Sequence, residues 1–165
     1  MAICTLASEA LMDELAPSAP TGVAIVGRVL TENFGVEKEV TNIVSNPRLR
    51  TLILCGMESR HRVGQTHLAH HANGRDDQGC GLDAGSRQSI IRSLSKEAVG
   101  IYRQKLTIVD LRDEETVETI LGRAQEAVAI GLDPWREQWE PEVPTIRSLN
   151  YEPSEKFLPL PVAKW

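Results

Sequence analysis

The stretch Leu49-Arg50-Thr51-Leu52-Ile53-Leu54-Cys55-Gly56 decides the fold. Residues 49–55 read as a nearly all-apolar strand, the kind that is buried on both faces of a parallel sheet. All four histidines of the chain follow it, between His61 and His71. An open α/β sheet places its ligands where a strand ends in a loop. Imidazole is the side chain best suited to hold a transition metal or to titrate near neutral pH. His61, in the loop itself, is therefore the first site candidate. His67, His70 and His71 lie in the helical pattern that comes next, and their plain reading is helix-surface histidines without a task.

Outward from this strand, short apolar runs alternate with helical patterns. Residues 2–7 read as a strand, followed by a short helix capped by Ser8 that continues to Leu15 and is ended by Pro17 and Pro20. Residues 22–26 form a second strand. A helix over 33–46 carries Val36, Val40, Ile43 and Val44 at helical spacing, with Pro47 as its stop. Residues 64–73 read as a helix closed by Asn73-Gly74, residues 75–85 as a loop, and 95–104 as another helix. Residues 106–111 are a fourth strand. Asp113-Glu114-Glu115 then opens a last helix, whose buried stripe is Val117, Ile120, Leu121, Ala124 and Val128, with Gly131 and Pro134 ending it. Strands alternating with helices predict a Rossmann-like three-layer α/β fold with a mainly parallel sheet. The run Gly22-Val23-Ala24-Ile25-Val26-Gly27 is a strand with a terminal glycine, not a G-x-G-x-x-G phosphate fingerprint.

A chain of 165 residues suits one domain able to bury a core without staples. A net charge of −5 argues against nucleic-acid binding, which needs a basic stripe. No apolar run is long enough to span a bilayer, and Met1 leads at once into a strand-like run instead of a signal peptide. Three cysteines read as reduced thiols of a cytoplasmic protein. Cys4 and Cys55 belong to apolar strands and are expected to be inert core residues, whereas Cys80 stands in a Gly-rich loop.

The composition changes after residue 131. The segment 132–165 contains all three tryptophans (Trp135, Trp139, Trp165), Tyr151, Phe157 and six of the nine prolines. A domain over 1–131 followed by a Pro/Trp-rich C-terminal tail is the expected organisation. The tail either wraps its own domain or serves as a docking arm, with a homo-oligomer as one outcome.

Several runs occur together in a telling order. They are Cys4-Thr5-Leu6-Ala7-Ser8, Thr31-Glu32-Asn33-Phe34-Gly35-Val36-Glu37-Lys38, Ser45-Asn46-Pro47, Leu52-Ile53-Leu54-Cys55-Gly56, His61-Arg62-Val63-Gly64-Gln65, Asn73-Gly74 and Leu106-Thr107-Ile108-Val109-Asp110-Leu111. This ordered set resembles the A subunit of tetrahydromethanopterin S-methyltransferase, over roughly residues 2–112. The resemblance implies a cobamide (a vitamin B12 derivative) on a Rossmann-like domain, and a methyl group carried from methyl-tetrahydromethanopterin toward a thiol coenzyme. It implies methyltransferase partner subunits as well. By the H-x-x-G-Q match, His61 would be the lower axial ligand of the cobalt. Gly64, Gln65, Thr31, Glu32, Asn33 and Gly56 would be cofactor-binding residues.

The chemistry suits His61. A methyl-carrying cobalt needs one exchangeable nitrogen below the corrin plane, and a loop can bind and release more easily than a helix. A metal-bound imidazole usually gives its other N–H to a carboxylate or carbonyl, for which Glu32 and Glu58 are candidates. The segment Ser59-Arg60-His61-Arg62-Val63-Gly64 also echoes the D-x-H-x-x-G motif of other cobalamin carriers, with serine in the aspartate's place.

The chain departs from the family pattern in three places. Arg60 replaces the usual glycine before the histidine and Arg62 follows it, a cationic pair that could grip an anion such as the nucleotide-loop phosphate. Residues 83–90, with Arg87 and Gln88, replace a small and apolar stretch. The Trp/Pro tail stands where many members carry a membrane anchor, so the expectation is a soluble relative. Two other readings compete. His67 and His71, four apart on a helix, could chelate zinc with His61 as a third ligand. Alternatively, the scaffold is a non-catalytic binding or interaction module.

Overall fold

The computed structural model describes residues 1–31, 34–74, 94–136 and 139. Four strands, β1 (Ala2–Cys4), β2 (Ile25–Gly27), β3 (Thr51–Gly56) and β4 (Thr107–Arg112), form one sheet in the order β2-β1-β3-β4. Every pairing is parallel; Ile3 lies opposite both Val26 and Ile53, and Leu54 opposite Asp110. Five helices complete the unit: α1 (Glu9–Ser18), α2 (Phe34–Ser45), α3 (Val63–Asn73), α4 (Lys96–Lys105) and α5 (Val117–Ala129).

The period of two along each strand sorts the core into two layers. Ala2, Cys4, Leu52 and Leu54 pack with Val36, Val40, Ile43 and Val44 of α2, Val63 of α3, and Ala98, Val99, Ile101 and Tyr102 of α4. Ile3, Ile53 and Cys55 face the other way, onto Leu11 and Leu15 of α1 and Ile120 and Ala124 of α5. All six residues of β3 are buried, as an apolar run flanked by helices on both faces requires. The α/β sheet with helices on both sides is thus the one its sequence implies.

Lys105 is buried at the C-terminus of α4, yet its charge has a use. Its Nζ donates to the carbonyls of Ile43, Val44 and Asn46, closing the end of α2. These are the terminal carbonyls that a helix cannot satisfy by itself. Burial, and secondarily Arg50, lowers the Lys105 ammonium to about 8.

Several element ends differ from expectation. The first strand stops at Cys4 instead of Ala7, because Thr5 N–H turns to the Gly27 carbonyl (2.9 Å) and Leu6 takes a left-handed φ of 49°. Ser8 stands at the N-cap position of α1 but does not cap it. Its hydroxyl donates to Glu115 Oε1 at 2.5 Å and accepts from Met57 N–H at 2.9 Å. Helix α1 runs through Pro17 to Ser18, where proline leaves only the exposed Asp13 carbonyl for water to satisfy. The second strand begins at Ile25, after Gly22 turns at φ 108°. The last helix opens at Val117 instead of Asp113. Asp113 has φ 69°, and Glu114 N–H closes a turn on the Leu111 carbonyl (3.0 Å). Ser95 does cap α4, accepting from Ala98 N–H at 3.1 Å, and Gly74 ends α3 at φ 81°.

Beyond residue 131 the chain stays on the domain for several residues. Trp135 N–H donates to the Pro47 carbonyl at 2.8 Å, and the Arg50 guanidinium lies 5.2 Å from the Trp135 ring centre. Trp135 and Trp139 both pack against the α2–α4 layer of the core.

Candidate functional site

The strand order reverses direction between β1 and β3: the chain leaves β1 toward β2 and returns to the other side for β3. Ligands of doubly wound sheets sit outside the carboxyl ends of the strands at such a switch point. The loops leaving β1 and β3 meet there and are tied together. Ala7 N–H donates to the Met57 carbonyl (3.1 Å), and Gly56 exchanges bonds with the β4 loop through Glu114 O (2.8 Å) and Asp113 N (2.9 Å).

Two glycines of the matched motifs are explained by this crowding. Gly56 has φ 75°, and a Cβ there would lie 2.6 Å from the Thr5 carbonyl oxygen. On Gly64 a Cβ would meet Arg112 Cδ at 2.6 Å and Glu58 Oε2 at 2.7 Å. The first is a backbone collision at a conformation that favours glycine; the second is a collision with side chains.

His61 stands in the β3–α3 loop, exposed and without a hydrogen-bond partner among the described residues. Arg60 and Arg62 on either side are exposed too, and Arg62 enters α3 at φ 51°, its Nη1 3.5 Å from Gln65 Oε1. Leu30 after β2, Phe34 at the start of α2 and Met57 after β3 expose apolar surface on the same rim. Thr31 caps α2 from this rim, its Oγ1 accepting from Gly35 N–H at 2.8 Å. The rim therefore combines an unengaged imidazole with apolar side chains from neighbouring strand ends. Glu32, Asn33, Cys80 and residues 83–90 lie outside the described residues.

Glu58 is not a partner of His61. Its carboxylate accepts from Ser59 N–H (2.9 Å), Gly64 N–H (3.0 Å) and Gln65 N–H (3.0 Å), with Arg112 Nη1 at 3.7 Å. Arg112, which the sequence did not bring forward, is held in turn by Asp110 through Nε (2.8 Å) and Nη2 (2.9 Å). That guanidinium holds the Asp110 carboxyl below its ordinary range.

The helical histidines are not idle surface residues. His67 and His70 are fully buried. His67 Nε2 lies 2.9 Å from Glu39 Oε2, and its Nδ1 lies 3.1 Å from the Tyr102 hydroxyl. Burial first, then the Glu39 charge, pushes the Tyr102 phenol well above its usual value. The phenol thus keeps its proton and donates it to Nδ1, while Nε2 and Glu39 Oε2 lie in contact without hydrogen-bond geometry. His71 Nε2 donates to the Leu106 carbonyl at 2.8 Å. With His67 and His71 committed in this way, the zinc reading loses its chelating pair. No group of three potential metal ligands of the His, Cys, Asp and Glu type occurs among the described residues. Cys4 and Cys55 are buried, and burial raises both thiols, Cys55 to about 12.

A parallel doubly wound sheet with helices on both faces and an exposed histidine in the loop after β3 defines a Rossmann-like α/β domain. The chain belongs to the family of the tetrahydromethanopterin S-methyltransferase A subunit, whose model matches residues 1–147. It is 38% identical over 130 residues to the second A subunit of tetrahydromethanopterin S-methyltransferase from Methanothermobacter thermautotrophicus, covering 78% of this chain and 69% of that protein. To the A subunit of a putative methyltransferase, Mtx, of Methanosarcina acetivorans it is 38% identical over 125 residues, 73% of this chain and 60% of the relative. The tetrahydromethanopterin S-methyltransferase A subunit from the same organism is 34% identical over 148 residues, 89% and 60% of the two chains. The chain spans between about half and two thirds of the length of such relatives. No described helix is long and apolar enough to cross a membrane.

Proposed function

We propose that this chain is a corrinoid methyl carrier, with His61 as the lower axial ligand of a cobamide cobalt and methyltransferase partner subunits loading and unloading the methyl group. The observation that carries the reading is the exposed, unengaged imidazole of His61 on the rim at the switch point, in an H-x-x-G-Q run. Its donor chemistry suits a cobalt that needs one exchangeable nitrogen. When bound, the cobamide supplies a cobalt–carbon bond from which a methyl group can be passed to a nucleophile.

The remaining work falls to the protein's own residues. His61 presents its ring nitrogen from a loop, so coordination and release cost no helix unwinding. Leu30, Phe34 and Met57 offer apolar area for a large flat ring to cover. Arg60 and Arg62 place positive charge where a phosphate-bearing arm could be held. Thr31 orders the start of α2 beside the same rim.

Reconstitution with methylcobinamide, which has no nitrogen base of its own, followed by gel filtration, cobalt analysis and a visible spectrum tests the proposal. Wild type should retain stoichiometric cobalt with a nitrogen in the lower position, and His61→Ala should shift the spectrum to the base-off form. His71→Ala should leave it unchanged. A protein that retains no cobalt, or whose spectrum is the same in wild type and His61→Ala, would sink the assignment.

A further inference from the structure

Helix α3 begins at Val63, directly beyond the histidine loop, and its first amides need acceptors from outside the helix. Arg62 occupies the N-cap position in a left-handed conformation and offers no side-chain acceptor. The acceptors come instead from the start of the loop. Ser59 Oγ takes Val63 N–H at 3.3 Å, and the Glu58 carboxylate takes Gly64 N–H and Gln65 N–H, both at 3.0 Å. The same carboxylate binds Ser59 N–H at 2.9 Å. One side chain thus pins both ends of the six-residue span that carries His61. A carboxylate is the favoured occupant of that place, since a helix N-terminus carries partial positive charge. Arg112 fixes the carboxylate from behind, with its own head held by Asp110 and its Cδ in the space a Gly64 side chain would need.

We infer that Glu58 is a positioning residue for His61, holding the 57–62 loop in the form that presents the imidazole, with Arg112 as its support. The inference rests on the reading of His61 as a cobalt ligand. Loop closure is what gives the geometry its force. A free loop would spread the imidazole over many positions, and each would dilute its effective concentration at the metal. The Glu58 carboxylate binds backbone amides and not the His61 ring, which separates this role from the usual one, in which a carboxylate polarises a metal-bound histidine directly.

The test uses methylcobinamide, which has no nitrogen base of its own, at saturation and at pH 8. The visible spectrum gives the ratio of histidine-on to histidine-off cobalt. That ratio should fall about tenfold in Glu58→Ala, the size expected when a helix start loses its acceptor. Glu58→Gln keeps one acceptor oxygen and should fall between the two; it also serves if the alanine variant does not fold. Amide exchange of the cobinamide-free proteins should show Gly64 and Gln65 losing protection in parallel. A ratio unchanged in a folded variant, with those amides exchanging faster, would make the cap merely structural and overturn the inference alone. A wild-type spectrum that does not depend on His61 would instead remove the ligand reading, and this inference with it.

Discussion

Glu39 Oε2 and His67 Nε2 lie 2.9 Å apart in the interior, the imidazole fully buried and the carboxylate nearly so. This contact joins α2 to α3, and the Tyr102 hydroxyl at 3.1 Å extends the link to α4. All three helices of the layer beneath the histidine loop are thus fastened through one ring. His67→Ala would leave the carboxylate and the phenol without partners in a closed space. We expect a loss of about 3 kcal/mol in urea unfolding, the cost of leaving buried polar groups unsatisfied. Glu39→Gln keeps the shape and a polar atom facing Nε2 and should cost about 1 kcal/mol. A loss below about 1 kcal/mol for His67→Ala would mean that water replaces the pair.

Gly56 and Gly64 should respond differently to alanine. At Gly56 the added Cβ meets the Thr5 carbonyl oxygen at 2.6 Å, and the residue sits at φ 75°. Neither can be relieved without moving a backbone, so a destabilisation of about 2–3 kcal/mol is expected. At Gly64 the neighbours are the Arg112 and Glu58 side chains, and alanine favours the helix by about 1 kcal/mol. The net effect there should stay within about 1 kcal/mol, read by the shift in urea midpoint. Equal losses at the two positions would contradict this assignment.

How much of this was legible follows from where each signal resides. Leu52 and Leu54 point into one helical layer and Ile53 and Cys55 into the other, so the unbroken apolar run announced a doubly covered strand. The loop holding His61 could be placed because it follows that strand. The burial of His67 could not, because Glu39 and Tyr102 come from distant segments and no local spacing links them. Glu58 was visible as a nearby acid, but its reach to the amides of Gly64 and Gln65 matches no capping-box spacing. The acids before α5 resembled a first helical turn. The positive φ of Asp113 that sets them outside it accompanies a turn tied to Gly56, a tertiary event.

Alkaline pH should weaken the fold through its thiols. Cys55 rises from 9.0 to about 12 by burial and then by the Glu114 charge, and Cys4 is raised by burial. Above pH 9 the unfolded chain loses these protons while the native chain keeps them, so stability falls as pH rises toward about 12. Lys105 acts in the opposite sense. Lowered from 10.5 to about 8, it makes the unfolded chain the greater proton binder between those values, and stability rises there. With two thiols and, above pH 10, the Tyr102 phenol against one ammonium, the net slope above pH 9.5 should be a loss of at least about 1.4 kcal/mol per pH unit. Urea midpoints from pH 8 to 10.5 measure it, and Cys55→Ala should flatten the curve. A slope identical in wild type and Cys55→Ala would remove the thiol as its cause.

Truncation tests what the residues just beyond Gly131 contribute. The four strands and five helices end at Ala129, so a chain of residues 1–131 retains every regular element described. It loses, however, the Trp135 N–H bond to Pro47, the Arg50 contact with the indole ring, and the Arg50 Nη1 bond to the Asp133 carbonyl. Trp135 and Trp139 also leave the apolar layer formed by α2, α3 and α4. We expect residues 1–131 to keep native far-UV dichroism but to unfold about 3 kcal/mol more easily than residues 1–139, mostly through lost apolar burial. Arg50→Lys in the longer chain should reproduce a part of this loss, since an ammonium neither stacks on the indole nor spans Lys105 O and Asp133 O as the guanidinium does. Equal urea midpoints for 1–131 and 1–139 would show that the two tryptophans add nothing to the domain, and an unfolded 1–131 would make them part of its core.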